Sequence, residues 1–422
     1  APSSLYTRPE VDDSDNGDDI SYEDCIKEYD YTRLSLKETL YLIGNGNSKA
    51  SDTAYGIPNY TVLTKMIGQV GNKYNIYVLT NDIDNYENTS SSRKNWTPTS
   101  LGVSELDGNG HTINNLGATM FTSLSTSSVK QTVRNIRLTN DNNLHLAYAI
   151  LAQSLKTGTT ISNVTLSGYI VEGDESKNLA ALAGLADGTD ITINAVTNLA
   201  HVRKTGKNTD NCAGGLIGYV NDGANVTINY SSNYGTIQND NGSSKAGNDN
   251  AKTAHAGGLV GGVGGTLTIE NSYNANSHAG GLVGWATGTV NISNSYNSGI
   301  VKAGNKKVGT NGSSVSYAGG IIGCGTTGII KDCFNEGSIE ALGKNPTYQY
   351  KHTQNRGFMS HYWTGSKTMY FDVVVTKTSN TSSSVKAYGI GYAAGEELTI
   401  TNTTNNGDIT NNGYNDDILK GE

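Results

Sequence analysis

The chain has 422 residues, of which 16 % are charged and 35 % hydrophobic, and its formal net charge is −8. That balance leaves no electrostatic footprint for nucleic acid or an anionic membrane surface, and no apolar run approaches the ~18 residues of a membrane span. Gly at 52 with Pro at only 5 argues against a Pro-rich disordered chain.

Residues 1–30 form an acidic arm, with Glu10-Val11-Asp12-Asp13 and Asp18-Asp19 at its centre. Such a composition is that of a disordered segment unless a neighbouring surface, a calcium ion or a second subunit holds it. The chain opens Ala1-Pro2-Ser3-Ser4 without Met, as signal-peptide removal would leave it, so an extracellular or cell-surface location is expected. Residues 31–110 read as an entry and capping region, with Val62–Ile67 its one short helix. A cap is expected because the open end of a stacked β-structure is an unpaired edge. Asp82, Asp84 and Asp107 are the best calcium candidates in the chain, although Asp107-Gly108-Asn109-Gly110 reads more simply as a turn.

Residues 111–412 carry a repeat. His255-Ala256-Gly257-Gly258-Leu259-Val260-Gly261 returns as His278-Ala279-Gly280-Gly281-Leu282-Val283-Gly284. The match continues downstream, Asn271-Ser272-Tyr273-Asn274 against Asn294-Ser295-Tyr296-Asn297. Further copies start at Ala213 and Ala318, and weaker ones at Ala149, Ala180 and Tyr388. Units this small cannot bury an apolar face alone, so neighbours must stack. The pairs Val226/Ile228, Leu267/Ile269, Val290/Ile292 and Leu398/Ile400 alternate with polar residues, which is strand periodicity with one face buried. The expected fold is all-β, a parallel β-helix of about nine coils at roughly 4.8 Å each.

Two asparagine columns follow from the alignment. One holds Asn135, Asn163, Asn271, Asn294 and Asn402, with Asp332 in the same slot; the other holds Asn198, Asn233, Asn274, Asn297, Asn335 and Asn405. An amide donates and accepts, so identical side chains one strand spacing apart can bond in a ladder. Asn271, Asn294 and Asp332 are expected to stack at one corner, and Asn274, Asn297 and Asn335 at the next. Insertions at 172–177, 203–211, 238–254, 302–316, 340–355 and 377–386 leave the coils at one recurring place, so they should project from one side, either as a variable binding face or as tolerated surface insertions. Residues 413–422 form a short tail.

The motif Gly258-Leu259-Val260-Gly261, repeated at Gly281-Leu282-Val283-Gly284, resembles the GLUG-motif repeat family. The upstream Tyr77–Asp84, Asn95-Trp96-Thr97-Pro98 and Leu106–Leu116 look like the lead-in such proteins carry. The resemblance spans roughly residues 70 to 412. It implies a β-helical scaffold on a bacterial surface or secreted protein, and is poor for function. Some proteins with these repeats are immunoglobulin-A-type metallopeptidases, whose chemistry needs two histidines one helical turn apart with a glutamate between them. His111, His145, His201, His255, His278, His352 and His361 offer no such pair, and there is neither a Gly-x-Ser-x-Gly elbow nor a phosphate loop. Carboxylates within the clearest repeats are isolated, so a polysaccharide lyase or hydrolase is the third choice only.

Cys324 and Cys333 flank Gly325-Thr326-Thr327-Gly328, where a disulfide across one turn competes with two buried thiols. His255 and His278 share a column, which is read as a stacked pair rather than a metal site. Trp285, with Tyr219 two coils away, and the cluster Tyr348, Tyr350, Tyr362 and Trp363 are the candidate partner or glycan surface. No cofactor other than calcium is implied. The expected function is a secreted, non-enzymatic surface protein, an adhesin or a self-assembling fibre subunit. A carbohydrate-binding surface protein is the alternative.

Overall fold

The computed structural model describes residues 54–70, 75–84, 96–140, 144–145, 148–172, 177–204, 212–239, 255–275, 281–304, 315–342, 349–351, 374–376, 384–388 and 390–411. The acidic arm and the tail 413–422 lie outside them. The described chain is nearly all β, dominated by one 25-stranded sheet whose pairings are parallel. This is the architecture of a β-solenoid.

Its register follows from the apolar alternation. Tyr77, Leu106, Val133, Ile161, Ile193, Ile228, Ile269, Ile292, Ile330 and Ile400 are register partners from coil to coil, ten rungs of one inward column. The first nine are at most 1 % exposed, whereas Ile400 in the last is 38 % exposed. Each buried Ile or Val is worth ~1.5–3 kcal/mol relative to an exposed one. The column therefore contributes substantially to stability, and its last rung is exposed.

The other end is covered. The helix is Tyr60–Met66, beginning two residues before the expected Val62 because the Asn59 side chain caps it, its Oδ1 accepting from the Val62 N–H at 3.0 Å. Ile67 is its C-cap rather than its last turn. Tyr60, Leu63 and Ile67 are buried in the same core cluster as the solenoid column.

The first asparagine column is a column of left-handed backbone. Asn135, Asn163, Asn271, Asn294, Asp332 and Asn402 have φ of 59°, 49°, 49°, 48°, 53° and 44°, and Ala195 and Tyr230 occupy the same slot at 52° and 48°. Asn and Asp tolerate this region better than other side chains, and this corner selects for them. The expected amide ladder here is therefore corrected. Asn271 donates to Asn229 Oδ1 of the preceding coil, one position out of the column, at 3.0 Å, and a side-chain bond along the column runs from Asn402 to Asp332 Oδ1 at 2.5 Å.

The insertions share stems. Strands Tyr169–Glu172, His201–Lys204 and Ile237–Asn239 pair in one small parallel sheet, and Val301–Gly304, Ile339–Leu342 and Ile409–Asn411 in another. Their return strands Leu179–Ala180, Cys212–Gly214 and His255–Gly257 also stack. Lys204, 1 % exposed, donates from Nζ to the Lys177 carbonyl at 2.9 Å, and Asn239 Nδ2 donates to the His255 carbonyl at 3.0 Å, fastening the stems at their base.

Candidate surface ladders and the aromatic edge

The second asparagine column is a continuous hydrogen-bonded ladder. Asn198 donates to Asn233, Asn233 to Asn274, Asn274 to Asn297, Asn297 to Asn335 and Asn335 to Asn405, at 2.6, 2.7, 2.7, 2.6 and 2.7 Å. The amide orientation is fixed locally. Asn198 Oδ1 accepts from Ala200 N–H at 2.8 Å while its Nδ2 donates to the Ala200 carbonyl at 3.0 Å, and Asn233 treats Gly235 the same way. All members from Asn198 to Asn335 are fully buried, so every polar atom of the column needs its partner.

Beside it runs a hydroxyl column. Ser231, Ser272, Ser295 and Thr403 each donate to the carbonyl two residues back, at 2.9, 2.7, 2.7 and 2.9 Å. Cys333 stands in the same column and does likewise, its thiol donating to the Lys331 carbonyl at 3.1 Å. Of the two readings left open for Cys324 and Cys333, the structure has two thiols rather than a bridge: both are free and buried. Gly325–Gly328 lies within the strand Ile322–Lys331, which carries a register shift between Gly325 and Thr327; Cys324 is near the start of that strand and Cys333 lies two residues past its end. Burial pushes both thiols up to about 11, against small opposing effects of the Trp285 side chain on Cys324 and of nearby backbone groups on Cys333.

Outward from the hydroxyl column lies an aromatic ladder that the sequence reading did not single out. Tyr273 stacks on Tyr296 and Tyr296 on Phe334, each with ring centroids 4.9 Å apart, and Tyr234 meets Tyr273 edge-on at 5.5 Å. The signal was the alignment of Asn-Ser-Tyr-Asn with Asp332-Cys333-Phe334-Asn335, which puts an aromatic ring in one slot of three successive coils. Burial raises the phenol pKa values of Tyr273 and Tyr296.

Tyr219, Gly262, Trp285 and Cys324 form one row of register partners. Trp285 does not stand alone in it, because the His255 imidazole stacks on the indole at 4.7 Å and 8°. Tyr219 leans over the glycine of the next coil: a Cβ at Gly264 would fall 2.5 Å from its hydroxyl and 1.9 Å from Asp222 Oδ1. The Tyr219 pKa is raised by burial first and by Asp222 second. Tyr296 is stacked on both faces, by Tyr273 and Phe334, whereas Trp285 and Tyr273 each have one face stacked on a neighbouring ring, which closes that face to any sugar. Of the second aromatic cluster, Tyr348, Tyr362 and Trp363 lie outside the described residues and Tyr350 is described in its backbone strand alone. His278 also lies outside them.

The calcium candidates do not converge. Asp82 Oδ1 takes the His111 ring at 3.0 Å and the Thr112 N–H at 2.9 Å, and Asp84 Oδ1 takes Asn115 Nδ2 at 2.9 Å. Asp107 accepts from the Asn109 N–H at 2.8 Å, making the turn, and pairs with Arg134 at 3.1 Å. Glu105 pairs with the same guanidinium at 2.7 Å. Burial raises the pKa of both Asp107 and Glu105, and Arg134 opposes it. Among the described residues no group of three or more His, Cys, Asp or Glu could hold a metal ion. No helix there is long and apolar enough to cross a membrane.

No family model matches the chain, and no curated protein does. Among solved structures it is similar to a Bacteroides ovatus protein described as "a putative immunoglobulin A1 protease", at 17 % identity and a TM-score of 0.38, over 71 % of this chain and 80 % of that one. The expectation that the chain is not an enzyme is withdrawn on this finding, since a structure it resembles is described as a protease. At that identity and score the likeness transfers no activity and no site residue.

Proposed function

We propose that this chain is a surface-exposed β-solenoid of the adhesin or fibre type, which associates with further copies of itself through its C-terminal coil. The observation that carries the reading is the exposure of Ile400, 38 % in a column whose other members are at most 1 % exposed. The last coil keeps the interior pattern: Asn402 is left-handed at φ 44°, and Asn405 holds the ladder register. Its outer edge, strand Gly391–Thr401, has no strand partner beyond Ile322–Lys331 among the described residues. It therefore leaves one strand edge open, and because the opposite end is covered by the helix, the partner it fits is the same open edge of a second copy. The resemblance to GLUG-repeat scaffolds supports placement on a bacterial surface.

Sedimentation velocity over a concentration series tests this. The wild-type chain is expected to associate, and Ile400→Glu to sediment as a monomer with unchanged circular dichroism. A wild-type chain that stays monomeric at high concentration overturns the reading.

A further inference from the structure

Tyr234 and Tyr273 belong to consecutive coils, 39 residues apart, and their phenolic oxygens are in contact. Their ring centroids are 5.5 Å apart with the planes at 86°. The ortho carbons of a phenol flank the carbon that bears the hydroxyl. Contact between the two hydroxyls therefore holds the ortho positions of both rings at one junction between the coils. Tyr234 is 44 % exposed, so a soluble oxidant reaches this pair from the solvent side. Tyr296 is placed differently: its ring lies parallel to Tyr273 within 7° at 4.9 Å, and an ortho–ortho bond there would require a ring to leave the stack. Phe334, next in the column, has no phenol to oxidise.

We propose that Tyr234 and Tyr273 are a cross-linking site, joined as a dityrosine when the chain meets a one-electron oxidant of phenols such as a haem peroxidase turning over hydrogen peroxide. Each phenol gives up one electron and its hydroxyl proton. The two phenoxyl radicals then form one carbon–carbon bond between ortho positions, and the ring hydrogens at those carbons move to the oxygens and restore both phenols. Two electrons and two protons leave the protein in all, and they reduce one hydrogen peroxide to two waters. The new bond ties the coil containing Ile237–Asn239 to the coil containing Tyr273–Asn274 covalently. It requires no second copy and is independent of the association proposed above.

The experiment treats the full-length chain with a haem peroxidase and hydrogen peroxide, then reads dityrosine fluorescence and maps peptides by mass spectrometry. The expected result is a monomeric product containing a linked peptide pair with Tyr234 and Tyr273, lighter by two hydrogens than the sum of its parts. Tyr234→Phe should lose that pair and its fluorescence while Tyr296→Phe keeps both, with circular dichroism showing that each variant folds. A link mapped to a different pair, fluorescence unchanged in Tyr234→Phe, or no intramolecular link at all overturns the proposal.

Discussion

Gly258 lies directly against the amide of Asn274: a Cβ at 258 would stand 2.2 Å from Asn274 Cγ and 2.4 Å from its Oδ1. Gly215 stands in the same relation to Asn233, at 2.8 Å from Oδ1. The glycine pair of the repeat motif and the asparagine far downstream are thus two sides of one contact. Gly258→Ala should lower stability by ~1–3 kcal/mol, the range for overpacking a tight interior. Gly223, left-handed at φ 77° with nothing within 4 Å of its virtual Cβ, should accept Asn with little loss. Thermal unfolding of the two variants compares them.

The two asparagine columns should respond differently to the same substitution. Asn297→Leu strands the Asn274 donor, the Asn335 acceptor and the Gly299 carbonyl, each worth ~1–3 kcal/mol when buried and unpaired. Asn294→Leu forces a branched side chain into φ 48° at a cost of ~1–2 kcal/mol. Asn294→Gly should be nearly neutral and Asn297→Gly should not. Equal melting temperatures for the two leucine variants would refute this division of labour.

Arg134 holds two carboxylates, Glu105 at 2.7 Å and Asp107 at 3.1 Å. Arg134→Met should cost on the order of 3 kcal/mol at neutral pH, because it leaves both acids without their counter-charge. Burial already raises both pKa values. A carboxyl raised in the folded state stabilises below its unfolded pKa and loses that contribution as pH rises through the folded value. The variant should therefore recover part of its stability on mild acidification, which urea titrations at several pH values will reveal.

Cys324 and Cys333 should resist iodoacetamide in the native chain under mildly alkaline conditions and react fully once it is unfolded. Their thiols are buried and pushed up to about 11. The stability tied to these protonated thiols is present below their unfolded pKa and is lost as pH rises through about 11. Intact mass should be the same with and without reductant for this pair.

The repeat made the stacking legible, because Ile228, Ile269 and Ile292 recur at matched offsets and leave one inward column as the sensible packing. It also located both asparagine columns. What it could not distinguish is why each exists, since a residue chosen for its φ and one chosen for its amide are written with the same letter. Ala195 and Tyr230 in the first column were the available clue, as neither can form an amide ladder. A bridge and two buried thiols stayed open alternatives because Cys333 was compared with Cys324 rather than with Ser272 and Ser295, its equivalents in neighbouring coils. The carboxylates Asp82, Asp84 and Asp107 suggested calcium because their donors, His111, Asn115 and Arg134, come from other coils and are invisible until the register is known. Trp285 stood out as a lone ring for the same reason, its partner His255 lying upstream in the chain.

Every amide of the ladder from Asn198 to Asn335 points the same way, donating to the coil that follows it, and Asn405 ends the series as an acceptor. Their dipoles consequently add along the rod instead of cancelling, much as peptide dipoles add along a helix. The solenoid core therefore has an electrical polarity as well as a chain direction, with its positive pole at Asn405. A group seated on that end meets the positive end of the column, where Asn405 also donates to the Gly407 carbonyl at 2.9 Å. An acceptor or an anion is favoured there over a cation, whatever the rest of the surface carries.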